Sequence, residues 1–172
     1  MRLIPTISLA SLLIATPCAA QRQPSYLATV SGSCSEMTIA DEDRSSECPA
    51  TLFNLAYVDN TSSFRLVTEE GLVVSFFGDD NEAVGNKATL VVRTIYFTPA
   101  LDTREGESLA DRTARAAKAT LELPAKGQCE YINPDLPDNY IHCEATAAGK
   151  TYSFKFSASD FRITDLGGRI RN

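Results

Sequence analysis

Four cysteines constrain this chain more than any other feature. Past residue 20 it carries Cys34, Cys48, Cys129 and Cys143, and fourteen positions separate the members of each successive pair. A glycine stands two places before the first member of each pair, in Gly32-Ser33-Cys34 and Gly127-Gln128-Cys129. Four cysteines allow three connectivities. The repeated spacing favours local pairing, 34 with 48 and 129 with 143, which ties down residues 40–46 and 134–139. Each closed loop is worth roughly 3 kcal/mol on a chain-entropy estimate.

Other chemistry for these thiols fits poorly. A structural zinc site uses closely spaced ligand pairs such as C-x2-C, and neither pair here is close. A redox C-x-x-C is absent from the sequence. His142 is the one histidine and adjoins Cys143, but neighbours on a strand point to opposite faces and cannot easily grip one ion. In "NYIHCEAT" the alternation puts Tyr140, His142 and Glu144 on a solvent face, with Ile141, Cys143 and Ala145 opposite. As a general base His142 needs a nucleophile and an orienting group. No G-x-S-x-G motif occurs, so no catalytic residue is assigned.

The first twenty residues read as a secretory signal peptide. Arg2 is their only charge, residues 7–14 (ISLASLLI) form an apolar core, and Cys18 and Ala20 provide a small-x-small site that leaves Gln21 first. The segment is short of the roughly 20 apolar residues a membrane anchor needs. Acylation at Cys18 would need a small residue before it, and Pro17 stands there. The expected organisation is a leader at 1–20, one disulfide-stapled β domain at 21–165, and a loose tail at 166–172. Sixteen basic against 22 acidic side chains give a net charge of −6, and loss of Arg2 makes the remainder more acidic. An acidic surface repels a phosphate backbone, which argues against nucleic acid as a partner.

Most of the chain has the period of strands. "ATLFNLAYV" sets Leu52, Asn54, Ala56 and Val58 on one face; "TYSFKFSA" sets Tyr152, Phe154 and Phe156 inward. "FRLV", "LVVSFFG", "ATLVVRTIYF" and "YIHCEAT" add further strands. "YLATVSGS" is expected to turn at Gly32, and "DDNEAVGNK" to form a long turn after Gly78. In "ATLVVRTIYF" strict alternation groups Leu90, Val92, Thr94 and Tyr96 against Val91, Arg93, Ile95 and Phe97. Residues 106–122 are rich in helix formers, and Ser108 with Asp111 matches a capping box. Pro124 is expected to stop that helix. The sum is a mainly β fold of roughly eight antiparallel strands, a β-sandwich or partly open barrel with one peripheral helix.

Three groups of side chains remain as candidates for binding. Asp41, Glu42, Asp43 and Glu47 lie inside the first staple, and Asp79, Asp80 and Glu82 follow Gly78. Calcium takes several oxygen ligands from such loops, but "DDNEAVGN" does not match the EF-hand spacing; these are read as solvated turns, with no metal or cofactor assigned. Tyr96, Tyr131, Tyr140 and Tyr152 could line a ligand surface, against ordinary core packing.

The segments "GSC" at Gly32, "VSFFG" at 74–78, "KGQC" ending at Cys129 and "CEATAAGKTYSFKF" from Cys143 resemble small uncharacterised exported proteins of Gram-negative bacteria. The resemblance implies export to the periplasm or beyond and a disulfide-bearing domain. It supplies no activity and no catalytic residue. The leading expectation is therefore a non-catalytic exported domain that binds a protein or cell-envelope partner, a basic one given the acidic balance. A hydrolytic enzyme and a small-ligand carrier are the alternatives. Assembled Asp, Glu or His142 would favour the enzyme, and an apolar cavity large enough for a ligand would favour the carrier.

Overall fold

The computed structural model describes residues 22–102, 104–132 and 139–167; the expected leader and most of the expected tail lie outside them. The strands are β1 (Pro24–Ile39), β2 (Glu42–Asp43), β3 (Thr51–Tyr57), β4 (Thr61–Val67), β5 (Val73–Val84), β6 (Lys87–Thr98), β7 (Leu121–Ile132), β8 (Tyr140–Ala147) and β9 (Lys150–Asp165). Helix α1 (Leu109–Ala119) connects β6 to β7, and a 3-10 turn at Ser45–Glu47 follows β2. From β3 to β9 each strand pairs antiparallel with the next, and β3 also pairs with β1. β1 then pairs with β9 from Tyr26↔Asp165 to Ile39↔Tyr152. That pairing closes an eight-stranded antiparallel barrel, with β2 as a short appendix on β1. The fold is a closed barrel rather than a sandwich or a partly open barrel, because the sixteen-residue β1 finds partners on both of its edges. Closure leaves no barrel strand with a free edge.

Alternation decides what goes inside. Leu52, Asn54 and Ala56 of β3 face inward, as do Tyr152, Phe154 and Phe156 of β9, and all six are buried. An eight-stranded barrel has an interior just wide enough for side chains to fill. One end is filled in this way: Met37, Ile39, Leu66, Val74, Phe76 and Ile95 pack there, and Phe76 meets Phe154 edge to face at 5.3 Å. This end holds the β4–β5 and β8–β9 turns and α1. The opposite end gathers the start of β1, β4, β6 and β8 and the finish of β3, β5, β7 and β9.

Both disulfides form locally, Cys34 to Cys48 and Cys129 to Cys143. Cys129 and Cys143 are register partners on β7 and β8 and face the interior with no exposure. Their backbones approach closely where Gly127 packs: a Cβ there would lie 2.1 Å from the Glu144 carbonyl oxygen. Gly32 does the same on β1, where a Cβ would lie 2.0 Å from the Ser157 carbonyl oxygen. The glycine two residues before each cysteine shares its inward face and lets a neighbouring strand come near.

Several local expectations are corrected. Gly32 is not a turn, since β1 runs through it with register shifts on either side of residues 32–34. The long turn after Gly78 is mostly strand; β5 continues to Val84 and only Gly85-Asn86 turn. In β6 a bulge at Val92–Thr94 breaks the alternation, so Leu90, Val92 and Ile95 all face inward. Helix α1 ends at Ala119 rather than near 122, and β7 passes through Pro124 at that same irregularity, where a missing N–H is tolerated. α1 lies shallowly and buries no residue. Its cap forms as the motif implies: the Asp111 N–H donates to Ser108 Oγ at 3.1 Å, and the Ser108 hydroxyl donates to Asp111 at 2.6 Å.

Candidate functional site

At the open end the barrel interior is not filled. A cavity of about 340 Å³ remains, walled by Val30, Phe64, Ile132, Ile141, Ala158, Phe161 and Ile163, with Tyr26, Asn54, Tyr131, Asn139 and Tyr140 contributing the polar atoms. Its depth is set by Phe64, which meets Tyr131 edge to face at 5.1 Å and separates the cavity from the packed end. Ile163 stands at the rim 62% exposed.

Beside this cavity lies an inward-facing carboxylate of the barrel wall. Asp80 pairs in register with the buried Leu90 and so points into the barrel. Asn60 fixes its main chain on both sides: the Asp80 N–H donates to Asn60 O at 3.1 Å, and Asn60 Nδ2 donates to Asp80 O at 2.9 Å. Asp80 Oδ1 accepts from the Ser62 hydroxyl at 2.9 Å and from the Tyr131 hydroxyl at 3.3 Å. Tyr131 lines the cavity, and Asp80 sits one hydrogen bond behind it.

The electrostatics follow from that placement. Burial raises the Asp80 pKa above the usual carboxylate value, and the nearby Asp79 charge adds to the rise, while the bonds from Ser62 and Tyr131 oppose it. Burial, then the Asp80 charge, push Tyr26 and Tyr131 up, Tyr131 far above an ordinary phenol. Both tyrosines therefore remain neutral donors at physiological pH. No ion pair among the described residues includes Asp80. Its neighbour Asp79 points outward and pairs with Arg93.

The other candidates fall elsewhere. Asp79 and Asp80 are parted by the barrel wall, and no group of three or more His, Cys, Asp or Glu converges among the described residues. The acidic residues of the first staple are engaged with the chain itself. Asp41 accepts the Thr151 N–H at 2.8 Å, which holds its carboxyl below the usual value. Asp43 accepts from the N–H and hydroxyl of Ser45, which lowers it likewise. Arg44 bridges Glu42 and Glu47. His142 lies on the outer face between its register partners Glu130 and Lys155, in a shallow polar cleft with Lys126 and Glu144.

The four tyrosines divide. Tyr131 and Tyr140 line the mouth, Tyr152 is packed in the closed end, and Tyr96 lies on the outer wall near Phe77. Asp80, read from the sequence as part of a solvated acidic turn, sits instead behind Tyr131; Tyr26, Asn54 and Ser62 complete the mouth and were not singled out by sequence reasoning. A signal for them exists: Asn54 sits between Leu52 and Ala56, and Ser62 two before Phe64, as polar residues on otherwise apolar faces.

Fold and site together define a class of protein: a closed antiparallel barrel with one plugged end and one open, apolar mouth. No family model matches this chain, and neither does a curated protein or a solved structure. No helix among the described residues is long and apolar enough to cross a membrane. The two intramolecular disulfides fit an oxidising, exported environment.

Proposed function

We propose that this protein is an exported carrier, periplasmic or secreted, that seats a small, largely apolar molecule in the open mouth of its barrel. The observation that carries the reading is the cavity of about 340 Å³ between Phe64 and the rim. Small-molecule sites are concave, mostly apolar and fitted with a few convergent polar groups, and barrel mouths are a common place for them. This volume lies at the small end of such sites, so the ligand is small, about one ring and its substituents. An exposed apolar rim residue such as Ile163 suits a site that an apolar ligand enters. The cavity offers no imidazole, because His142 stands on the outside of the wall, so binding fits the site better than hydrolysis.

The test is native mass spectrometry of the oxidised protein purified at low ionic strength, beside the variant Ala158→Phe, which fills the mouth. The expected result is a co-purifying mass of a few hundred daltons, lost in A158F while both disulfides and the circular dichroism spectrum persist. A wild-type protein that purifies empty and takes up no small apolar probe overturns the carrier. A co-purifying polypeptide instead would favour the protein or envelope partner expected first from the sequence.

A further inference from the structure

Resting on the carrier reading, we propose that the ligand is an organic ammonium ion, held at its charged end by the Tyr131–Asp80 pair and at its apolar end by Phe64 and Phe161. Two independent features of the mouth point to this class.

The first is an uncancelled charge. Asp80 Oδ1 receives two neutral hydroxyl donors, from Ser62 and Tyr131. An amide oxygen would satisfy the same two donors, so what a carboxylate adds here is charge. The arginines of the two strands that flank β5 are engaged on the outer wall. Arg93 pairs with Asp79, and Arg65 donates to Ser75 at 2.9 Å. A half-buried charge without a counter-ion carries a desolvation cost, and a cation entering the mouth is the group that relieves it.

The second is the aromatic lining. Tyr26, Phe64, Tyr131, Tyr140 and Phe161 all border the cavity. Aromatic faces attract cations, most strongly where water is excluded. They repel nothing apolar, so the same rings receive the ligand's body. Tyr131 joins the two features. Its hydrogen is directed at Asp80, which leaves its oxygen free to accept from an ammonium N–H in the cavity. The charge is thus held through a relay, with Asp80 behind and Tyr131 in front. A carboxylate ligand meets repulsion at the same place, and a neutral alcohol gains nothing from the charge.

The experiment is calorimetric titration of the oxidised wild-type protein with benzylamine, benzyl alcohol and benzoate at neutral pH and low salt, then with benzylamine at high salt. Benzylamine should bind about tenfold tighter than benzyl alcohol, the preference of a modest cation–π and charge contribution, and benzoate weakest. High salt should weaken the amine and leave the alcohol unchanged. Asp80→Asn should bring amine and alcohol to equal affinity, and Tyr131→Phe should weaken the amine selectively if D80N folds poorly. Equal binding of amine and alcohol to the wild type overturns the ammonium assignment and leaves the carrier standing. Binding of none of the three counts against both.

Discussion

The phenol of Tyr131, on β7, donates its hydrogen to Asp80 of β5 across 3.3 Å, over the top of β6. The bond joins residues 51 positions apart and makes a polar corner at the edge of an apolar mouth. It also sets the first expectation about stability.

Asp80 should be a carboxylate that costs the fold stability. Its native pKa is raised, chiefly by burial, so the folded state holds its proton more tightly than the unfolded chain does. The sign follows from linkage: the penalty is present at neutral pH, where the group is charged, and disappears as pH falls through the raised native value. Asp80→Asn keeps an acceptor for Ser62 and Tyr131. It should stabilise the ligand-free protein at pH 7 by about 0.5–1 kcal/mol, a modest figure because the group is partly exposed and screened. Urea melts of both proteins should converge towards pH 4. A D80N protein less stable than wild type at pH 7 would show that the carboxylate's hydrogen bonds outweigh its desolvation.

The two disulfides should differ in worth. Each closes a loop of the same length, so the chain-entropy contribution is about 3 kcal/mol for both. Cys129 and Cys143 are wholly buried in the barrel, however, while Cys34 and Cys48 are partly exposed. Replacing the inner pair by alanine also leaves a void, which adds about 1 kcal/mol. Denaturant titration of the two double variants should therefore rank the 129/143 pair as the greater loss.

Gly32 should tolerate no side chain. Its Cβ position is blocked by backbone, the Ser157 carbonyl oxygen and Ala158 Cα, and backbone cannot swing aside as a side chain can. Gly32→Ala should cost about 3 kcal/mol or more by parting β1 from β9. The measurable sign is faster amide exchange at the β1–β9 ladder than at β4–β5.

Helix α1 should melt without the barrel. It buries no residue, and its N-terminus depends on Ser108 together with the Arg115–Glu107 pair at 2.7 Å. Ser108→Ala removes a cap worth about 1 kcal/mol to the helix. Hydrogen exchange should quicken within 109–119, and the global thermal midpoint should move by less than about 2 °C. A large drop in the midpoint would mean that α1 is part of the cooperative unit.

Period-two alternation and short-range chemistry were legible in the residues themselves. Leu52, Asn54 and Ala56 share a face because adjacent strand residues point oppositely, whatever surrounds them. Cys129 meets Cys143, and Ser108 meets Asp111, because each pair is close in the chain. What the tertiary structure decided is everything that joins distant segments. The pairing of Tyr26 with Asp165 and of Ile39 with Tyr152 turned a meander into a closed barrel. Alternation names the residues on a face but not which strand edge that face will neighbour, so closure was hidden. Bulges in β1 and β6 were hidden for a related reason: each sets an extra residue of one strand against a partner strand, and the partner is not known from the segment alone. Asp80 shows the consequence. By composition it belonged to an acidic turn. The register of β5 against β6 put it inside the mouth, and only the arrival of β7 brought Tyr131 to it.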